Sequence, residues 1–104
     1  MASKFSLDPA PTFSASVEIP VHGRDPVAVQ FEFKHRTRDA MGEFFDSVAA
    51  RPAEESILEI VAGWELDDPL NLESVAKLLQ NYQGAGTAIV KVYAEQLRQN
   101  RLGN

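Results

Sequence analysis

The stretch that decides the fold runs from Phe13 to Phe33 and reads FSASVEIPVHGRDPVAVQFEF. Apolar and polar residues alternate on both sides of a glycine-containing loop, which is typical of two strands that bury one face. The apolar series are Phe13, Ala15, Val17, Ile19 and Val21 before the loop, and Val27, Val29, Phe31 and Phe33 after it. The pattern predicts an antiparallel β-hairpin over residues 12–35, with Val21 opposite Val27, because this register gathers all apolar partners on one face. Pro20 has no N–H, so we expect it at an edge position without a cross-strand donor.

Helical patterns follow the hairpin. The expected capping and turn residues are Thr37, Pro52, Asn71 and the pair Gly84 and Gly86. Apolar residues recur at helical spacing in four sets: Met41, Phe44, Phe45 and Val48; Ile57, Ile60, Val61 and Trp64; Leu72, Val75, Leu78, Leu79 and Tyr82; and Ala85, Ile89, Val92, Tyr93 and Leu97. The order predicts an α+β fold, in which about four α-helices over residues 37–101 cover one face of the hairpin or of a small sheet. A third strand over residues 5–7 is left open.

The length and composition are those of one globular domain: 104 residues, of which 44% are hydrophobic and 24% charged. We expect residues 12–104 to form this α+β domain. Residues 1–11 hold two prolines and no periodicity, which predicts a flexible arm that Phe5 and Leu7 could anchor to the core. The chain has no cysteine and only short apolar runs, so we expect no disulfide, no thiolate site and no membrane partner.

The charge is unevenly distributed along the chain. The net charge of −5 argues against nucleic acid as the main partner. Residues 54–73 hold seven acidic residues and no basic one, whereas from Lys77 onward Glu95 is the only acid among four basic residues. This separation is compatible with attraction between copies of the chain, and we expect self-association. For any single charge, however, a solvated surface position is the more common explanation.

Residue patterns that would carry chemistry are weak. His22 and His35 have no partner at metal-ligand spacing, and Asp67-Asp68 before a proline is more typical of a helix stop than of a cation site. The segment 84–87 lacks the ending of a phosphate-binding loop and is better explained as a turn. The basic run 34–38 is small beside the overall acidity. We therefore expect no catalytic, cofactor-binding or metal-binding residues, and no enzyme.

Short residue groups along the whole chain resemble a known family. In the first half they are Thr12-Phe13, Val17-Glu18-Ile19-Pro20, His22-Gly23 and Phe31-Glu32-Phe33-Lys34-His35-Arg36-Thr37. In the second half they are Gly63-Trp64-Glu65-Leu66-Asp67, Leu72 to Leu78-Leu79, Asn81-Tyr82-Gln83-Gly84-Ala85, Ala88-Ile89, Tyr93, Leu97 and Arg101-Leu102-Gly103-Asn104. In this order and spacing, from about Phe5 to Asn104, the sequence resembles the tail assembly chaperones of long-tailed bacteriophages and prophages. One departure is Gln83, where the family often has proline.

The resemblance implies a function without catalysis. Such chaperones bind the tape measure protein, a very long and mostly helical chain, and keep it soluble while tail-tube subunits polymerise around it. They act in the host bacterial cytoplasm and are not expected in the mature virion. Two alternatives stay open: a structural minor tail component of the virion, and a small regulatory or adaptor binding domain.

The resemblance also implies a second form of the protein. In many of these phages a −1 frameshift near the end of the gene adds a domain that recruits the tail tube protein. The residues Leu102-Gly103-Asn104 can be encoded by CTG GGA AAC, which contains the slippery pattern G GGA AAC. We therefore expect that a frameshifted extension is compatible with this sequence, although other codons encode the same residues.

Five residues are candidates for contact with a partner. Trp64, Tyr82 and Tyr93 are large side chains of a kind enriched at interfaces, although Trp64 and Tyr82 also fit the apolar stripes of their helices. Arg98 and Arg101 lie at the expected end of the last helix, where they could meet acids on the client or the stretch 54–73 of a neighbouring copy.

Overall fold

The structure, a computed structural model, describes residues 6–98. The elements in chain order are β1 (Thr12–Val21), β2 (Arg24–Lys34), α1 (Arg38–Val48), α2 (Ala53–Ile60), β3 (Val61–Trp64), α3 (Leu72–Asn81) and α4 (Ala85–Arg98). Within residues 6–98 they form one three-stranded antiparallel sheet, in the order β1-β2-β3, and four helices. The predicted α+β class with an N-terminal hairpin is confirmed. Phe5, Arg101 and the predicted helix end near Arg101 lie outside the described residues.

The hairpin forms as predicted, but its register differs by two residues. Ile19 lies opposite Val27, where the sequence pattern had placed Val21. The turn consists of His22 and Gly23 alone, and Gly23 has φ +79°, a left-handed conformation that two-residue hairpin turns favour. A shift of two keeps every residue on its predicted face, so the faces are right although the partners are wrong. The ladder shifts register between Ile19 and Val21, at the intervening proline.

The third strand is not formed by residues 5–7, where the sequence analysis had considered one possible. Val61 and Trp64 were predicted on the second helix, but α2 ends at Ile60 and Val61 is extended, with φ −103° and ψ 125°. Val61–Trp64 pairs with the edge of β2 that β1 leaves free, and the ladder satisfies backbone groups that a longer helix would have bonded internally. At the other end of the chain, Ser6 and Leu7 are not part of a strand, and Leu7 is 87% exposed, so it does not anchor the arm.

The core lies between the apolar face of the sheet and the helices. The buried apolar residues are Ala15, Val17, Ile19, Phe31, Phe33, Met41, Phe44, Ile57, Ile60, Val61, Val75, Ala85, Ile89 and Tyr93. Helix α4 packs against β1, and its Tyr93 ring lies 5.3 Å from the Phe33 ring. The Tyr93 hydroxyl donates a hydrogen bond to the Lys34 carbonyl oxygen at 2.8 Å. This hydrogen bond links α4 to the end of β2.

The predicted N-caps Thr37 and Asn71 are confirmed by their hydrogen bonds. Pro52 is the N-cap of α2 without a side-chain hydrogen bond, and Gly86, predicted in the turn, lies inside α4. The Thr37 hydroxyl accepts a hydrogen bond from the Ala40 N–H at 3.1 Å, and the Asn71 side-chain oxygen accepts one from the Ser74 N–H at 2.9 Å. Both bonds satisfy N–H groups that the first turn of a helix leaves free. The predicted stripe of α3 is wrong at both ends: Leu72 is 54% exposed, and Tyr82 is the C-cap and is 41% exposed.

Candidate functional site

The main candidate is an apolar groove between the helices, which we call the helical groove. It encloses about 470 Å³ and is lined by Val48, Ala53, Ser56, Ile57, Leu79, Gln83, Gly86, Thr87, Val90 and Lys91. The lining comes from α1, α2, α3, the turn after α3 and α4, and it includes no residue of the sheet. Apart from Lys91, every charge of the described chain lies outside this lining. An apolar trough between helices is the kind of surface that receives the apolar face of another helix.

Gly86 lies in the lining of the groove, in the first turn of α4. A Cβ built at this position would lie 3.4 Å from Leu79 Cδ2, at the limit of ordinary van der Waals contact. The first turn of α4 therefore lies against the Leu79 side chain of α3. The apolar side chains of α4 differ in burial: Ile89 is fully buried in the core, and Val90 is half-buried beside the groove.

Ser56 is a buried polar residue beside the groove. The residue is only 2% exposed, and within the described chain its Oγ has no hydrogen-bond partner. A buried hydroxyl without a partner costs free energy, so such groups are rare in native structures and call for an explanation. The hydroxyl lies beneath the lining of the groove rather than at its surface, so it remains an unpaired polar group of the core.

A second cluster lies where α1 meets α2. Glu59 accepts from Arg36 at 3.0 Å and also pairs with Arg51, and both guanidinium groups lie 5.9 Å from the centre of the Phe44 ring. The Arg36 side chain also donates to the Glu59 carbonyl oxygen at 3.2 Å. These contacts join the start of α1, the α1–α2 loop and α2, which is a structural role. The side chains are 23–30% exposed, so the pairs are partly screened by water.

Burial changes the ionisation of one residue in the core. Desolvation raises the pKa of Tyr93 above its ordinary value, and Arg36 opposes this by favouring the charged form. The phenol is therefore neutral in the ordinary pH range and acts as a hydrogen-bond donor to β2.

The predicted partner-binding residues do not converge on one surface. Tyr93 is fully buried, and Trp64 is half-buried with its Nε1–H donating to the Asp68 carbonyl oxygen at 2.8 Å. Tyr82 is exposed beside the hairpin turn, where it lines a hollow with His22. Arg98 is exposed and lies 5.9 Å from the centre of the Phe45 ring. Arg101 lies outside the described residues.

Sequence reasoning placed Val48, Ile57 and Leu79 on apolar stripes but did not predict that they line a groove. Ser56 and Thr87 stand in helical segments as ordinary polar residues, and Val90 falls between two predicted core positions. The sequence did contain one signal: Val90 is an apolar residue in addition to the predicted apolar stripe of α4. Only the packing of four separate segments shows that these residues meet.

Residues 6–98 contain no cluster of three or more His, Cys, Asp or Glu side chains that could hold a metal ion. None of the helices in this range is long and apolar enough to cross a membrane.

The fold and the groove define a small α+β protein with an apolar trough between its helices. Compared with known protein families, the chain matches the family described as phage tail assembly chaperone over residues 1–104. The chain belongs to this family, which implies interaction with phage tail proteins. No curated protein and no solved structure gave a significant match.

Proposed function

We propose that this protein is a non-catalytic chaperone that binds the tape measure protein in the host cytoplasm and keeps it soluble while the tail tube assembles. Membership in the phage tail assembly chaperone family supports this proposal. The observation that carries it is the helical groove, because a long helical client exposes apolar stripes that require an apolar cover. The family resemblance supplies the nature of the client.

The groove suits a helix in shape and in charge. A client helix would place residues at i, i+3 or i+4, and i+7 against the apolar lining, with Val90 and Leu79 among the contacts. Lys91 stands at the exposed rim, where it can attract an acidic residue beside the apolar stripe of the client. The groove holds only a few side chains, so many copies would have to act on one long client. Weak binding at each copy lets the tube protein displace the chaperone without ATP.

Thr87 provides a direct test of the groove. It is exposed and lines the groove, so Thr87→Trp fills the groove with an indole and leaves the core intact. The matched control is Gln96→Trp, an exposed position of α4 away from the groove lining. Each variant is co-expressed with the tape measure protein of the same phage, and the soluble fraction of that client is measured.

We expect the client to be soluble with the wild-type chain and with Gln96→Trp, and to aggregate with Thr87→Trp. Equal rescue by both variants would remove the groove from the proposal. Aggregation even with the wild-type chain would contradict the proposed function itself. Tyr82 and Arg98 are exposed and remain candidate contacts that the same assay can examine.

Two further observations separate the chaperone from a virion component. Mass analysis of purified phage should find the tape measure protein and lack this chain, whereas a minor tail protein would be present in the particle. Reading the gene decides the proposed longer form: the codons for residues 102–104 must contain G GGA AAC, followed by an overlapping frame. Other codons there would remove the frameshifted extension and its contact with the tail tube protein, and would leave the chaperone function standing.

A further inference from the structure

Within residues 6–98, no strand pairs with the outer edge of β1 along most of its length. The His35 N–H donates to the Pro11 carbonyl oxygen at 2.8 Å, which makes the pair 11–35 a hydrogen-bonded pair of the β1–β2 ladder. Since such pairs alternate, the odd residues of β1 bond to β2. The Glu65 N–H donates to the Gln30 carbonyl oxygen, which confirms that the even residues of β2 face β3 instead. The β1 residues whose backbone groups point away from the sheet are Thr12, Ser14, Ser16 and Glu18.

This edge lacks the usual protection against pairing. Within residues 6–98 no other strand pairs with this side of β1. Exposed edges are normally blocked by lysines, prolines, bulges or short length, yet β1 has ten residues, no basic side chain and a single acid, Glu18. Its proline, Pro20, stands at the far end, where it also lies close to Gly84 of the α3–α4 turn. The segment from Thr12 to Ile19 is therefore a template for another strand.

We propose that two copies of the chain pair through this edge, antiparallel around a two-fold axis at Ala15. In this register Ser14 lies opposite Ser16 of the second copy, and Thr12 lies opposite its Glu18. All four outward-facing residues then form hydrogen-bonded pairs, roughly eight backbone bonds in total. Ala15 meets Ala15 of the second copy at the axis, as a non-hydrogen-bonded pair about 4.5 Å apart at Cα, where a small side chain fits.

Pro20 selects this register over its neighbour. Moving the axis to Ser16 would place Thr12 opposite Pro20, which has no N–H to donate, and would put Ser16 opposite itself. The register centred on Ala15 loses no donor. It also places the half-buried ring of Phe13 opposite Val17 of the second copy, so that the apolar faces of the two sheets become continuous.

A second copy fits this edge because of charge. Each copy carries −5, so close approach is favoured where acids are sparse. β1 offers ten residues with one acid, and in the proposed register that acid faces a threonine rather than another acid. A helical client, the one feature here that rests on the proposed function, presents no free strand edge to pair with β1. The other occupants, a client segment or residues of this chain outside 6–98, are separate outcomes of the test.

The test measures amide hydrogen exchange of the full chain at low and high protein concentration. The N–H groups of Ser14, Ser16 and Glu18 should be slowed about tenfold or more as concentration rises, while inward-facing Val17 is protected throughout. Three results would overturn the proposal: no protection at any concentration, protection already complete in the dilute monomer, and protection that appears only when client is added. The second result would assign the edge to the chain itself, and the third would assign it to the client.

Charge variants test the register. Ser14→Lys with Ser16→Lys brings like charges together and should abolish the concentration-dependent protection. Ser14→Glu with Ser16→Lys pairs opposite charges across the axis and should strengthen association at low salt. Gln30→Lys, an exposed position on the central strand, is the matched control and should change nothing. Weaker association of the Glu/Lys variant would refute the axis at Ala15. Failed pairing with intact client rescue counts against this inference alone, and failed rescue with intact pairing counts against the proposed function alone.

Discussion

Replacing Ser56 with alanine should make this protein more stable, against the usual effect of changing a buried residue. Ser56 is 2% exposed in the middle of α2, and its hydroxyl finds no partner in the described chain. Removing an unsatisfied buried hydroxyl recovers a desolvation cost of about 1–3 kcal/mol. Alanine adds up to about 0.5 kcal/mol of helix propensity, and the space left by one oxygen takes back under about 1 kcal/mol. The expected net gain in the free energy of unfolding is about 1–2 kcal/mol.

The gain can be measured by thermal and denaturant unfolding followed by circular dichroism. A change of 1 kcal/mol moves the Tm of a domain of this size by roughly 4–8 °C, so Ser56→Ala should melt well above the wild type. The matched control is Ser47→Ala in α1, because the Ser47 hydroxyl donates to the Phe44 carbonyl oxygen at 2.8 Å. That variant gains the same helix propensity but loses a hydrogen bond, and it should be neutral or slightly destabilised.

The comparison isolates the unpaired hydroxyl as the cause. If Ser56→Ala is no more stable than Ser47→Ala, the Ser56 hydroxyl is satisfied and the reasoning is wrong. Because the Ser56 hydroxyl is buried beneath the groove, Ser56→Ala should leave client rescue unchanged in the co-expression assay.

The other predictions concern the core and the glycines. Tyr93→Phe removes the hydrogen bond to the Lys34 carbonyl oxygen and should lower the free energy of unfolding by about 1–3 kcal/mol in urea titrations. Because burial raises the pKa of Tyr93 in the folded state, the stability that the neutral phenol contributes is complete below the ordinary tyrosine pKa of about 10 and is lost as pH rises further. If the wild-type chain loses stability above this pH no faster than Tyr93→Phe does, the assignment is wrong. Gly23→Ala forces φ +79° on alanine and should cost about 1–2 kcal/mol, whereas Gly42→Ala, in open space on α1, should gain about 0.5–1 kcal/mol; equal melting temperatures would contradict the turn geometry.

The hairpin shows how far periodicity reaches. Alternation fixes which face each residue occupies, and the structure confirms those faces. It does not distinguish registers that differ by two residues, because both keep the apolar set together. The conformation of Gly23 decides between them, since a left-handed glycine closes the chain in a two-residue turn. Turn chemistry at His22-Gly23 was therefore the more informative signal.

The sequence did not predict the third strand or the groove, and the physical reasons differ. The spacing of Ile57, Ile60, Val61 and Trp64 fits one face of a helix, and a strand of four residues is too short to show its own period. The extended conformation of Val61 is determined by tertiary contacts, because the free edge of β2 offers hydrogen-bond partners for its backbone and burial for its side chain. The groove is tertiary throughout, because its lining comes from helical segments far apart in the chain. The hydroxyl of Ser56 looks ordinary in the sequence and unusual only once its surroundings are packed.

The two proposed surfaces use different parts of the molecule, and this has a consequence for how the protein would act. The helical groove takes its lining from helices and a turn, while the proposed self-association uses only the edge of β1. A pair joined through β1 would therefore present two free grooves to one long client. Binding of the first groove raises the effective concentration of the second, so a pair can hold a client far more tightly than two separate copies. If both proposals hold, Ser14→Lys with Ser16→Lys should leave each groove intact yet raise the protein concentration needed for client rescue. Rescue at an unchanged concentration would mean that pairing through β1 does not contribute to the chaperone function.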